Sequence, residues 1–245
     1  RTPERLAGVT WRSKVEVVAA DVLDPDSLDA ALSGIESVYY LVHAMGHAGD
    51  FERTDRIGAE NTRTAAEKAS VSRIVYLGGL GEDDPNRLSS HLASRHEVGH
   101  ILASGAVPVI ELRAAVIIGS GSASCEMLSH LAEVLHGMVC PRGVTRTKCQ
   151  PISIADVLRY LVALIDLPGT SGEILAIGGP DVLTFRDMMD RYAALAGLRR
   201  RLIVPVPLLT PRLSSHWVNL VTPLPYGLAR PLVDSLINDV VVRSE

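Results

Sequence analysis

The sequence predicts an α/β protein built on a doubly wound parallel sheet, with a smaller C-terminal extension. Short aliphatic runs alternate with helical segments along the first two thirds of the chain, an order that calls for right-handed strand–helix–strand crossovers. Apolar residues make up 47% of the 245 residues but aromatics only 4%, so Val, Ile, Leu and Ala must fill the core. Such content suits strands buried on both faces. Glycine, proline and short polar residues fall where helices have to start or stop.

Val15–Ala20 reads as the first strand, followed by Asp21 and the helix-start cluster Asp24-Pro25-Asp26-Ser27. The helix runs from Leu28 to Leu32 and Gly34 ends it as a C-cap glycine. Val38–Val42 is the next strand, followed by a loop with Gly46 and Gly49 and a long polar-faced helix from Phe51 to Lys68. Strand Ile74–Leu77, helix His91–Ala103 and strand Val107–Leu112 complete the alternation. Beyond Gly121 the pattern loosens into a helix over Ser122–Leu135, a short strand at Gln150–Ile152, an amphipathic helix over Ile154–Ile165 and a strand over Glu173–Ile177. Thr184 and Asp187 have the spacing of a capping box, opening a helix that Gly197 ends. Six prolines from Pro205 to Pro231 then break the chain, and the apolar stretch Trp217–Leu236 holds too many of them, with Arg230 and Asp234, to span a membrane. The expected division falls at about residue 165, with an alternating strand–helix part over residues 1–165 and an extension over 166–245.

The net charge of −4 gives no electrostatic footprint for nucleic acid. Three cysteines, Cys125, Cys140 and Cys149, lack metal-ligand spacing and point to a reducing, cytoplasmic compartment. His43 and His47 are four apart, but no third ligand accompanies them, so no metal is expected.

The order strand, Gly78-Gly79, helix with His91 and Arg95, strand, and Arg113-Ala114-Ala115-Val116-Ile117-Ile118-Gly119 resembles the active-site half of the short-chain dehydrogenase/reductase family. It is most similar to the atypical, NmrA-like group with a Rossmann-type NAD(P)H-binding fold. The resemblance implies cofactor contacts from Arg1, Asp21, Val22, Leu41, Val42, His43, Gly78, Gly79, Arg95, Ala115, Val116 and Ile117. It also implies that Arg1, following the second strand, faces the 2′-phosphate of NADP(H) and so favours it over NAD(H). The family's usual Ser, Tyr and Lys are replaced: glycines stand where the Ser or Thr would be, and His91 and Arg95 stand on the helix. His91 is the candidate catalytic residue because imidazole transfers protons near neutral pH. The glycine turn for the pyrophosphate is missing from the opening residues, so an upstream strand, turn, helix and strand are expected, as is a further C-terminal domain. The functional expectation is an NAD(P)H-dependent oxidoreductase acting on a small substrate. The alternative is a non-catalytic NADPH-binding sensor or structural module, with an isomerase or epimerase as a third.

Overall fold

The computed structural model describes residues 2–44, 50–82, 88–141, 145–165, 167, 172–206 and 238–243. Its centre is a four-stranded parallel sheet of β1 (Ser37–Tyr40), β2 (Arg73–Gly79), β3 (Val109–Ala114) and β8 (Ile174–Ile177), in that order. Ile74, Val75 and Tyr76 are fully buried, and all six residues of β3 are buried, as an internal parallel sheet requires.

Strand alternation sends successive side chains to opposite faces. Ile74, Tyr76 and Val109 pack with Tyr40, Val98 and Leu102 under α2 (Phe51–Lys68) and α3 (Ser90–Ala103). Val75, Ile110 and Leu112 face the other way, onto Val157, Leu161 and Leu164 of α5 (Ile154–Ile165). Helix α1 (Pro25–Leu32) lies against α2. The approach of α2 depends on its own composition: Gly58, Ala59, Thr62, Ala65 and Ala66 form its buried stripe, and Asp55 lies on the same stripe.

A second core lies beyond the carboxyl end of the sheet. Met127, Leu128 and Leu131 of α4 (Ala123–Val134) pack with Phe185, Met188 and Met189 of α6 (Phe185–Leu195). Met138 of β5 (Gly137–Pro141) and Ile203 of β10 (Leu202–Val206), two paired parallel strands, close it. Four two-residue strands link the lobes: β4 (Ile117–Ile118) pairs with β7 (Ile152–Ser153), and β6 (Lys148–Cys149) with β9 (Leu183–Thr184). The central sheet therefore draws its fourth strand from beyond residue 165, and the second lobe draws α4 and β5 from before it.

Most expected elements stand close to their predicted bounds, and the Thr184–Asp187 capping box is formed. Two differ. Val15–Ala20 is not a strand: no described strand pairs with it, and Val15 and Val18 are about half exposed. An aliphatic run with no ladder partner has nothing to fix it as a strand. The strand expected over Val38–Val42 ends at Tyr40, because the carbonyls of Val42 and Leu77 are taken by the Arg95 guanidinium instead of by the ladder. Arg1, Gly46, His47, Gly49 and the Trp217–Leu236 stretch lie outside the described residues.

Glu111 and Arg113 form a buried ion pair on the α3 side of β3, with Nε to Oε1 at 2.8 Å. Room for it comes from missing side chains, since a Cβ on Gly99 of α3 would lie 2.4 Å from Glu111 Oε2 and one on Gly78 2.7 Å from Oε1. Gly99→Ala must push a buried, paired carboxylate aside, so it is expected to destabilise the protein by about 1–3 kcal/mol. Urea unfolding of the variant beside the wild type measures this.

Candidate functional site

At the carboxyl ends of β2 and β3, where the chain leaves the sheet for the second lobe, lies a cavity of about 330 Å³. This is where open parallel sheets bind ligands, and the volume lies at the lower end of the usual ligand-pocket range of roughly 300–1,000 Å³. One wall is the sheet edge, from Leu77 to Leu80 and from Ala114 to Ile118. A second is the start of α3, with His91, Leu92 and Arg95. The far wall is apolar and sulfur-rich, with Met127, Leu128, Cys149, Phe185 and Met188. Cys149 Sγ lies 3.5 Å from Met188 Sδ, and burial pushes its thiol up to about 11, so it stays a neutral thiol. Ser122 caps α4 and donates to the Ile117 carbonyl at 2.8 Å, fixing the corner between sheet edge and far wall. Asn238 accepts from the Ser89 amide at 3.0 Å and so holds the start of α3.

Arg95 is the only formally charged side chain on the described cavity wall. Its guanidinium donates to the carbonyls of Val42, at 3.1 Å, and Leu77, and stands 4.9 Å over the Tyr76 ring. Tyr76 in turn donates its hydroxyl to the Arg95 carbonyl at 2.8 Å. A guanidinium has five donors, so part of the fork is committed to holding two strand ends.

His91 and His43 line the cavity side by side, ring centroids 4.9 Å apart. Burial, aided by nearby His43 and Arg95, drives His91 down to about 3, so it is a neutral imidazole at physiological pH. His43 Nδ1 is 3.1 Å from Asp55 Oδ2. Asp55, 3% exposed, also accepts from the Ala44 amide at 2.8 Å and the Ser94 hydroxyl at 3.1 Å. Burial alone would raise this carboxyl, but the hydrogen bonds from His43, Ala44 and Ser94 outweigh it and hold Asp55 below its ordinary value. His43 Nε2 and His91 Nδ1 are both buried from water without a hydrogen-bond partner among the described residues.

The structure thus brings His43, Gly78, Gly79, His91, Arg95, Ala115, Val116 and Ile117 to one cavity. Val42 reaches it only through its carbonyl on Arg95, and Leu41 is 56% exposed at the strand end. Asp21 turns the chain before α1, its carboxylate accepting from the Leu23 amide at 3.0 Å. Val22 packs against Gly58 of α2, and its carbonyl accepts from Asn61 at 2.9 Å. The absent side chain of Gly79 faces Leu92 at 3.0 Å, so this glycine lets α3 approach the sheet. Asp55 and the far wall were not singled out from sequence. For Asp55 a signal existed, since it continues the small-residue stripe of a predicted helix toward the sheet. The far wall had none, because its residues come from three separated segments.

Residues 1–113 match the model of an NAD(P)H-binding family. The mitochondrial NADH dehydrogenase [ubiquinone] 1 alpha subcomplex subunit 9 of Dictyostelium discoideum is 22% identical over 77% of this chain and 52% of its own length. The chain thus spans about half the length of that curated relative. Among solved structures, a nucleoside-diphosphate-sugar epimerase from Staphylococcus aureus superposes with a TM-score of 0.74 at 17% identity, over 98% of this chain and 81% of the other. An NADPH-dependent quinone oxidoreductase from Escherichia coli, solved with NADPH, gives 0.72 at 21% identity, over 97% and 77%. The fold is Rossmann-type, as the resemblance implied, and residues 1–113 are similar to the NAD(P)H-binding family. No helix among the described residues is long and apolar enough to cross a membrane.

The neutrality of His91 has a measurable consequence. Unfolded, the imidazole takes up a proton below pH of about 6.5, whereas the native site refuses it down to about 3. The unfolded state therefore binds more protons in this window, and stability falls as the pH drops through it, by at most about 1.4 kcal/mol per pH unit from this group. His91→Gln removes this dependence. The stability difference between wild type and variant, from urea unfolding at pH 7 and pH 5, should shift against the wild type at the lower pH.

Proposed function

We propose that the protein is an NAD(P)H-dependent reductase of a small, uncharged, largely apolar substrate, with the nicotinamide end of the cofactor and the substrate sharing the cavity beyond β2 and β3. The observation that carries this is the composition of that cavity: an apolar far wall faces a sheet edge and helix start that present two orphaned imidazole nitrogens. Buried polar atoms without partners cost free energy, and a bound ligand with hydroxyl, amide or carbonyl groups would satisfy them. The residues present therefore fit a dinucleotide's nicotinamide half. When bound, the cofactor would supply hydride chemistry. The chain's own residues would bind and orient: Arg95 keeps the strand ends in place, Gly79 and Ala115 leave the sheet edge open, and His91 offers a neutral imidazole to a substrate oxygen.

The proposal assigns residues 1–165 mainly to cofactor binding and 166–245 mainly to the substrate side. It gives NADP(H) preference over NAD(H) through Arg1, because a planar guanidinium fork suits a phosphate. A cytoplasmic location goes with three free cysteines. A second reading, a non-catalytic NADPH-binding module, is favoured by one observation: Arg95 stands where the family's proton-relaying Lys would be and is engaged with backbone carbonyls.

Two measurements on the full-length protein test these points. NADPH should bind at least ten times tighter than NADH by titration of cofactor fluorescence, and Arg1→Asp should reverse the order; equal affinities before and after would remove Arg1 from the cofactor site. Oxidation of NADPH, followed at 340 nm, should occur with an uncharged quinone such as menadione and not with anionic pyruvate. Silence across a broad set of uncharged carbonyl and quinone probes would establish the non-catalytic module instead.

A further inference from the structure

Of the two imidazoles in the cavity, only one is held by a carboxylate. Asp55 Oδ2 lies 3.1 Å from His43 Nδ1, and Asp55 Oδ1 is fixed by the Ala44 amide at 2.8 Å. A carboxylate can only accept, so the His43 ring carries hydrogen on Nδ1 and turns Nε2 away from Asp55. That Nε2 is shielded from water, has no partner among the described residues, and belongs to a ring on the cavity wall. A buried Asp that fixes the tautomer of a His and balances the charge it acquires is a recurrent acid–base arrangement. His91, the candidate from sequence, has no such carboxylate contact among the described residues, and its ring lies tilted beside that of His43.

We infer that His43, oriented by Asp55, is the proton-transferring residue of this cavity, that Asp55 is its positioning residue, and that the substrate is a carbonyl or quinone whose oxygen is protonated on reduction. This rests on the reductase reading above. The balance is simple. The bound cofactor would supply a hydride, two electrons and one hydrogen nucleus, to the substrate carbon, its own C–H bond breaking as the new C–H bond forms. The carbonyl π pair moves to oxygen, and the Nε2–H bond of protonated His43 breaks with its pair left on nitrogen as the O–H bond forms. A solvent proton taken up as the product leaves the cavity restores the Nε2–H bond, and Asp55 remains a carboxylate throughout. Net consumption is one NAD(P)H and one proton per substrate.

The charged and titratable groups around His43 come from three elements. Tyr40, on β1, is raised by burial and by Asp55 and stays protonated. Asp55, on α2, is ionised. On α3, His91 is neutral near pH 7, and the Arg95 guanidinium is bound to the Val42 carbonyl, one residue from His43. Asp55 is the anion touching the ring.

The experiment uses the full-length protein with NADPH, menadione and benzaldehyde as probes, beside nitrogen-15 NMR of the imidazoles, the His43 signals being assigned by their loss in His43→Gln. Asp55→Asn keeps the size and the acceptor for Ala44 but can turn an amide N–H toward His43. In the wild type, His43 should be the Nδ1–H tautomer, and in Asp55→Asn it should become Nε2–H. Both Asp55→Asn and His43→Gln should lower kcat by roughly 100-fold or more, the usual range for a lost general acid, with NADPH affinity changed less than about threefold. Wild-type turnover with His43→Gln equally active would overturn the assignment and leave the reductase reading intact. An unchanged tautomer in Asp55→Asn, with rate loss matched only by lower thermal stability, would reduce the pair to a structural tie and overturn it as well. A wild type that binds NADPH but reduces neither probe would instead sink the reductase reading, and the proton-transfer role with it.

Discussion

The site depends on one side chain that joins three elements. Arg95 projects from α3 and takes the carbonyls at the ends of β1 and β2, Val42 and Leu77, while its charge lies over the Tyr76 ring and Tyr76 donates back to the Arg95 carbonyl. A guanidinium is the group suited to this, since it stays charged, is planar, and spreads its donors across two acceptors. Where the parallel ladder between β1 and β2 stops, the backbone groups still need partners, and Arg95 supplies them. The consequence is an open sheet edge whose geometry is nevertheless fixed. His91 sits one helical turn before Arg95, so the same anchoring sets its place on the cavity wall.

A second constraint is steric and comes from glycines. Helix α3 can lie close on β2 and β3 because Gly79 meets Leu92 and because Gly78 and Gly99 leave space for the Glu111 carboxylate. The buried Glu111–Arg113 pair is thereby enclosed by positions without side chains. A buried pair of this kind gives little net stability. Its geometry does tie the packing of α3 to the middle of the sheet, and so to the strand ends that line the cavity. The glycines that replace the family's hydroxyl residue are therefore also packing residues, with a role independent of any ligand.

The fold was largely legible in the sequence because helix starts and stops carry local chemistry. Ile154–Ile165 stands at its expected bounds, and the Thr184–Asp187 box closes as its spacing demands. Val15–Ala20 failed for the complementary reason. Its strand character is a property of a neighbour, not of the run itself, and among the described residues no neighbour pairs with it. The site was legible in part. His91, Arg95 and the Ala115–Ile117 corner could be read from the order of motifs, whereas the function of Arg95 as a tie between strand ends depends on carbonyls that no side-chain pattern reveals. Asp55 was hidden by being the acidic member of a small-residue stripe, which reads as surface unless the stripe is recognised as the buried face.

The far wall was beyond sequence reading for a physical reason that bears on specificity. Met127, Leu128, Cys149, Phe185 and Met188 come from α4, β6 and α6, segments joined only when β4 and β7 pair and divert the chain out of the sheet. The cavity consequently has two sides of different character. The sheet side is set by ladder hydrogen bonds, close glycine contacts and the Arg95 tie, all intolerant of change. The lobe side is a methionine-containing apolar wall, and methionine adapts its shape at low cost. Solved structures at 17–21% identity keep this fold over nearly the whole chain, which is what such a division permits. The rigid side can hold a common ligand end while the adaptable side drifts to fit different partners for it. Under the reductase reading proposed above, substrate choice is expected to lie with α4 and α6, not with the sheet.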